Sequence, residues 1–395
     1  MTQSIVNGKL LMPDGSILSD GYITVTDDTI TSIGKGHPDI ESHSIIDAGG
    51  HYLSPGFIDL HTHGAGGADL MDGTVDSYLT VARTHARYGT TAFLPTTLTC
   101  PDEELFEAFR VFKEAKLANT DGARMLGLHL EGPYFAYSQR GAQDPANLKN
   151  PEPEHYNRIF EATDDILRWS VAPELPGAME FGRILKHKGI IASVGHTDAI
   201  TSEVIESHKN GYTLMTHFYS AMSGVTRRNA FRYGGAVEAG YLLDDMDVEI
   251  IADGIHLPKE LLQLIYKIKG PDRIALITDS MRAAGMPEGE YKLGSLKEGQ
   301  TVIVEDGVAK LMDRSAFAGS VATADRLVRT MVNIAEVPLT DAVRMITATP
   351  ARILGMQHLY GSLSAGNKAD IVIFDDNINI MRTIIGGKSV YKAID

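Results

Sequence analysis

Ser54-Pro55-Gly56-Phe57-Ile58-Asp59-Leu60-His61-Thr62-His63-Gly64 is a short apolar run that ends in two imidazoles. Side chains two apart on a strand point to the same face, so His61 and His63 can grip one ion together. The same grammar recurs downstream. Residues 125–133 carry His129-Leu130-Glu131, and residues 190–198 carry Gly195-His196-Thr197-Asp198. Residues 212–222 carry Thr216-His217, residues 248–256 carry Asp253-Gly254-Ile255-His256, and residues 274–281 carry Thr278-Asp279. Residues 90–96 and 168–174 add two plainer strands, which makes eight.

Helical patterns at 76–88, 103–118, 201–210 and 259–267 separate these strands, with a further helix at 321–335 and a closing segment at 340–354. Alternating β and α units build a parallel sheet, and eight of them close it. The fold class expected is α/β, a (β/α)8 TIM-like barrel of the metal-dependent hydrolase kind. Polar residues collected at the carboxyl ends of its strands form the active site in such barrels.

Both ends of the chain are β-rich. Residues 4–10, 21–26 and 29–34 alternate as strands, with turns expected at Asn7-Gly8 and Asp27-Asp28. Residues 369–374 form a strand, and 382–391 a hairpin turning at Gly386-Gly387-Lys388. The expected organisation is a small split β-sandwich from 1–53 plus 355–395, with the catalytic barrel, 54–354, inserted between its halves. Two stretches without a period, 223–235 and 285–299, read as functional loops after site-bearing strands.

Composition narrows the partners. A formal net charge of −15 argues against nucleic acid or an anionic membrane. Cys100 is the only cysteine, which rules out an intrachain disulfide and fits a reducing cytoplasm. The amino terminus lacks the basic and apolar regions of a signal peptide, and no apolar run reaches 18 residues.

Glu131 at the end of an apolar strand is costly to bury unless a cation or an arginine compensates. Together with His196 and His217 it makes a Glu/His/His set, a normal catalytic shell for zinc or iron with a position left open for water. His129 shares the face of Glu131 but lies deeper, where it would orient a ligand instead of binding the ion. Asp279 reads as the acid and base of a hydrolysis, or as the N-cap of the next helix. His256 can bind hydroxyls or polarise a carbonyl. Arg227 and Arg228 suit a phosphate or carboxylate.

The order of these motifs resembles the amidohydrolase superfamily, and within it the group that deacetylates N-acetylated amino-sugar phosphates. The resemblance runs over essentially the whole chain. It rests on Pro55 to Gly64, Leu130-Glu131-Gly132-Pro133, Gly195-His196-Thr197, Thr216-His217-Phe218-Tyr219-Ser220-Ala221-Met222, Ala252-Asp253-Gly254-Ile255-His256, Thr278-Asp279, Ala318-Gly319-Ser320 and Gly366-Asn367-Lys368-Ala369-Asp370-Ile371-Val372.

It implies hydrolysis of the acetamide of N-acetylglucosamine 6-phosphate. Glu131, His196 and His217 would hold the main divalent metal, and His61 and His63 with the shared Glu131 a second. Zinc is the first choice, with iron or manganese as alternatives. Asp279 would be the acid/base and His256 a sugar contact, with Ser220 and Ala221 in the turn near the phosphate. Arg228 would reach that phosphate across a homodimer interface. Two positions depart from the pattern: Gln143 stands where the group often has histidine, and Ser220 where it usually has asparagine. Both lie in the recognition shell, so the galactosamine epimer or an unphosphorylated N-acyl sugar is the alternative substrate. A cyclic-amide hydrolase is the alternative reaction, but 171–175 lack the fourth-strand lysine that such enzymes carboxylate.

Overall fold

The computed structural model describes residues 2–38 and 44–394, with the side chain of Arg228 outside the description. Eight parallel strands form a barrel: Phe57–Thr62, Thr90–Thr97, Leu128–Glu131, Ile166–Val171, Ile191–Val194, Tyr212–Met215, Asp247–Ile250 and Ile274–Leu276. Each pairs with the next in chain order. The seam between last and first is closed past the eighth strand, where Ser280 bridges to Thr62 and the Asp279 amide donates to the His61 carbonyl at 2.9 Å.

Alternation along the strands sorts the barrel into two layers. Leu130, Trp169, Val171, Val194, Met215 and Val248 share one apolar core with Tyr78, Phe109, Phe112 and Phe181 of the surrounding helices. The residues between them, His129, Glu131, Arg168, Ser170, Ser193, Thr216 and Glu249, are buried and polar. Arg168 sits in the middle of this polar layer. Its guanidinium pairs with both oxygens of Glu249 and donates to Ser193 Oγ (2.9 Å), Thr216 Oγ1 (2.9 Å) and the Leu60 carbonyl (3.1 Å). Five strands are thereby tied beneath the site.

The two chain ends meet in one eight-stranded sheet. Tyr52–Pro55 pairs antiparallel with Ile371–Phe374, and Ile5, Leu10, Ile23, Leu53, Ile371 and Ile384 pack into its core.

Several local expectations are corrected. Asn7-Gly8 is not a turn: it lies inside Thr2–Leu11 at a register shift, with Asn7 at φ 57°. A bulge uses the same residue chemistry as a turn, so the dipeptide alone does not separate them. The stretch 223–235 contains a hairpin, Thr226–Arg228 with Phe231–Tyr233. The stretch 285–299 contains Gly289–Leu293, which joins Gln300–Glu305 and Val308–Leu311 in a three-stranded sheet beside the barrel mouth. Helices Pro153–Ala162, Ala178–His187 and Ala236–Leu242 complete the alternation, and 340–354 divides into Leu339–Arg344 and Ala348–Ile353.

Candidate active site

The carboxyl ends of the barrel strands converge on one cavity of about 310 Å³. Two triangles of donor atoms lie at its floor. In the first, Glu131 Oε1 stands 3.2 Å from His196 Nε2 and 3.1 Å from His217 Nε2, and the two imidazoles are 3.1 Å apart. In the second, His61 Nε2 and His63 Nε2 are 3.2 Å apart, and Asp279 Oδ1 lies 3.4 and 3.2 Å from them. Glu131 joins the two, with Oε1 3.4 Å from His61 Nε2 and Oε2 3.3 Å from His63 Nε2.

The backbone bends to achieve this. His196, His217 and Asp279 all have positive φ, at 48°, 30° and 46°. Residues other than glycine avoid this region, and such strain collects where a side chain must be aimed. Gly132 at φ 95° turns the chain directly after Glu131. A Cβ there would lie 2.2 Å from Thr99 Oγ1 and 3.0 Å from Phe135, whose ring stacks on His196.

The proton inventory shows what the triangles are for. His196 Nδ1 lies 2.8 Å from the Gln139 carbonyl and His217 Nδ1 3.1 Å from the Ser220 carbonyl. A carbonyl only accepts, so each Nδ1 carries a proton, and in the neutral ring each Nε2 presents a lone pair. Two imidazole lone pairs and a carboxylate oxygen thus converge at van der Waals distance or less, which is repulsive unless a cation lies among them. Tetrahedral zinc with bonds near 2.0–2.1 Å would hold its ligand atoms about 3.3–3.4 Å apart, close to the observed edges. The donor set therefore fits a divalent cation in either triangle.

Electrostatics agree. Burial alone would raise Glu131, yet His61, His196 and His217 hold it well below the ordinary glutamate range. Burial also opposes ionisation of Asp279, but His61 and His63 lower it. Protons alone could neutralise the carboxylates: burial resists this, but Asp279 and Glu131 still lift His61 to about 9 and His63 to about 10. A divalent cation does the same job with neutral imidazoles.

His256, Gln143, Ser220 and Ala221 line the same cavity, as do Leu293 and Phe317 from the flank of the three-stranded sheet. His256 Nδ1 donates to Asp253 Oδ2 at 2.8 Å, which leaves Nε2 for the cavity, and the ring tilts against Phe317. Gln143 is engaged by the protein on both sides of its amide: Nε2 donates to Glu131 Oε2 at 2.7 Å, and Oε1 accepts the Thr99 amide at 2.8 Å. Arg227 is not brought to this cavity. It is exposed on the hairpin, paired across it with Arg232. The Arg228 side chain lies outside the described residues.

Residues 52–390 match the amidohydrolase family. This chain belongs to that family. It is 34% identical over 393 residues to the N-acetylglucosamine-6-phosphate deacetylase of Vibrio furnissii, an alignment that covers 99% of this chain and 94% of the relative. It is 31% identical to the N-acetylgalactosamine-6-phosphate deacetylase of Escherichia coli O157:H7, over 97% of this chain and 98% of that one. Among solved structures, a variant of the N-acetyl-D-glucosamine-6-phosphate deacetylase from Mycobacterium smegmatis, in complex with N-acetyl-D-glucosamine-6-phosphate, superposes with a TM-score of 0.89 at 28% identity, covering 99% of both chains.

The amidohydrolase site also uses residues with no role assigned from sequence. Asp253 orients His256. Asp59 accepts bonds from Thr278 Oγ1 (2.5 Å), the Thr278 amide and the His61 amide, so it braces the first strand against the eighth. Burial pushes Asp59 up to about 6. Glu249 backs the floor: its Oε2 lies 3.7 Å from His61 Nδ1 and accepts the His217 amide at 3.4 Å. A carboxylate inside an apolar strand is the signal that could have found Asp59 and Glu249. His129 stays off both triangles, bonded to Ser170 Oγ (2.7 Å) and Thr96 Oγ1 (3.2 Å), with its ring edge-on to His61.

Proposed function

We propose that this amidohydrolase hydrolyses the acetamide of N-acetylglucosamine 6-phosphate, giving acetate and glucosamine 6-phosphate, in amino-sugar catabolism. The observation that carries the reading is the pair of donor triangles joined through Glu131 at the floor of a small-molecule cavity. The end-to-end likeness to deacetylases of amino-sugar phosphates supplies the substrate class.

Glu131, His196 and His217 would hold the main divalent cation, and His61, His63 and Asp279 with Glu131 a second; zinc is the first choice, iron or manganese the others. Such a cation polarises a carbonyl and acidifies water at neutral pH. Asp279, as a carboxylate at the mouth of the second triangle, accepts the proton of the attacking water as the new C–O bond forms. It returns that proton to the nitrogen as the C–N bond breaks, and the amine leaves. Oδ1 of Asp279 faces the two histidines, which leaves Oδ2 for this shuttle. His256 Nε2 faces the sugar, as an acceptor for a hydroxyl when neutral and a donor when protonated.

Among the described residues that line the cavity there is no lysine or arginine. A 6-phosphate needs a cationic partner, so we assign it to the hairpin arginines Arg227 and Arg228 of a second subunit in a homodimer. The hairpin exposes Phe231 and Val225 beside them, 71% and 60% accessible, as an interface would require. Among the described residues no helix is long and apolar enough to cross a membrane, and we place the enzyme in the cytoplasm.

A second reading, the galactosamine epimer, draws on Ser220 and on the full-length relative that carries that name. Comparing kcat/KM for the two N-acetylhexosamine 6-phosphates and for N-acetylglucosamine decides among them. The gluco phosphate should lead the unphosphorylated sugar by at least a hundredfold, and Arg228→Ala should erase most of that lead. Equal rates with and without phosphate would remove the phosphate from the substrate.

A further inference from the structure

The Gln143 amide is spoken for on both sides, and its orientation is determined by chemistry. The Thr99 N–H can only donate, so it meets Oε1 of Gln143 at 2.8 Å; the Glu131 carboxylate can only accept, so it meets Nε2 at 2.7 Å. Flipping the amide would set donor against donor and acceptor against acceptor. Gln143 is 6% exposed and Thr99 also 6%, so water does not replace either bond cheaply.

The group it holds is the one shared by both triangles. Glu131 Oε1 belongs to the His196–His217 triangle, while Oε2 faces His63 of the other. The terminal torsion of a glutamate is broad, so nothing in the side chain itself keeps Oε2 turned toward His63. The bond from Gln143 does. Because an amide is neutral, it fixes one lone pair of Oε2 while leaving the carboxylate charge for cations. Oε1 meets three imidazole nitrogens at 3.1–3.4 Å, whereas Oε2 meets one, His63 Nε2 at 3.3 Å, and the amide of Gln143 at 2.7 Å.

We infer that Gln143 is a positioning residue: it locks the Glu131 carboxylate in the bridging orientation and thereby sets the affinity of the His61–His63–Asp279 triangle for a second divalent cation. The inference rests on the reading that the two triangles hold divalent cations, and it departs from a sugar-contact role for Gln143.

The test is metal binding, without substrate. Chelator-stripped protein is titrated calorimetrically with Mn²⁺, and Mn²⁺-loaded samples are examined by electron paramagnetic resonance. Wild type should bind in two steps and show the spectrum of an exchange-coupled pair. Gln143→Met keeps the volume and removes both bonds. It should weaken the second step at least tenfold, leave the first within about threefold, and replace the coupled spectrum with that of an isolated ion. Gln143→His retains an N–H donor and should restore much of the second step, which a merely disrupted fold would not allow. Overlapping titrations of wild type and Gln143→Met would overturn the inference, and so would an equal loss at both steps, or a single step in wild type. Wild type that binds no Mn²⁺ at all would overturn the cation premise of the proposed function as well. Two steps that depend on Gln143, in a protein inert toward the sugar phosphate, would leave the inference standing and remove only the substrate.

Discussion

The Nε2 atoms of His196 and His217 stand 3.1 Å apart, although each ring already gives its Nδ1 proton to a backbone carbonyl. Lone pairs that face each other at this distance, with Glu131 Oε1 beside them, store repulsion that a bound cation turns into attraction. Removing the metal should therefore cost stability as well as activity. A site occupied at 100–1,000 times its dissociation constant adds roughly 3–4 kcal/mol. Differential scanning calorimetry of metal-loaded and chelator-dialysed protein should show Tm falling by several degrees. An unchanged Tm would mean that the triangles hold nothing in solution.

Asp253 acts through His256. Its Oδ2 takes the Nδ1 proton at 2.8 Å and so points Nε2 into the cavity. Asp253→Asn should lower kcat/KM by roughly 10–100-fold with metal content unchanged, and His256→Ala should do no less. Combining the two should add little beyond His256→Ala alone. Full additivity in the double-mutant cycle would detach Asp253 from His256.

The Arg168–Glu249 pair is buried on both sides and lies beneath both triangles. Removing one partner strands a charge, which costs about 3–5 kcal/mol. Glu249→Gln should thus destabilise strongly in urea unfolding, while the double variant Arg168→Met/Glu249→Leu should recover much of the loss. It should nevertheless bind the cation of the His61 triangle more weakly, because Glu249 backs the His61 ring. If the double variant is as unstable as the single one, the pair is not the unit that holds the floor.

His85 predicts a pH dependence at the barrel seam. Its Nε2 lies 2.9 Å from Thr62 Oγ1 and 3.3 Å from Ser280 Oγ, and burial lowers its pKa to about 4. The unfolded chain takes up this proton near pH 6.5 and the folded chain only near 4. The stability contribution is complete above pH 6.5 and is lost as the pH falls toward 4, on the order of 3 kcal/mol in all. His85→Gln should flatten the slope of unfolding free energy against pH in that window. A slope identical to wild type would show that His85 does not titrate there.

How much of this was legible in the sequence follows from which interactions are local. His61 and His63 are two apart on one strand, so their shared face can be read directly. Glu131, His196, His217 and Asp279 each end an apolar run, and the alternation of strands and helices places those ends together. The bonds among them cannot be read that way. Gln143 meets Glu131 and Thr99 across two loops, and Arg168 meets Glu249 across the barrel interior. These contacts depend on shear and closure, which the pattern of any single strand does not encode. The hairpin of Thr226–Arg228 and Phe231–Tyr233 escaped for a different reason: strands three residues long leave no period to detect.

Acetate release from N-acetylglucosamine 6-phosphate, followed in metal-reconstituted wild type and in Asp279→Asn, tests the central claim most directly. Wild type should release one acetate per free amine formed. Asp279→Asn should retain the cation of the Glu131–His196–His217 triangle yet turn over about a thousandfold more slowly. Fast release by Asp279→Asn, or no release by fully metallated wild type, would contradict the account.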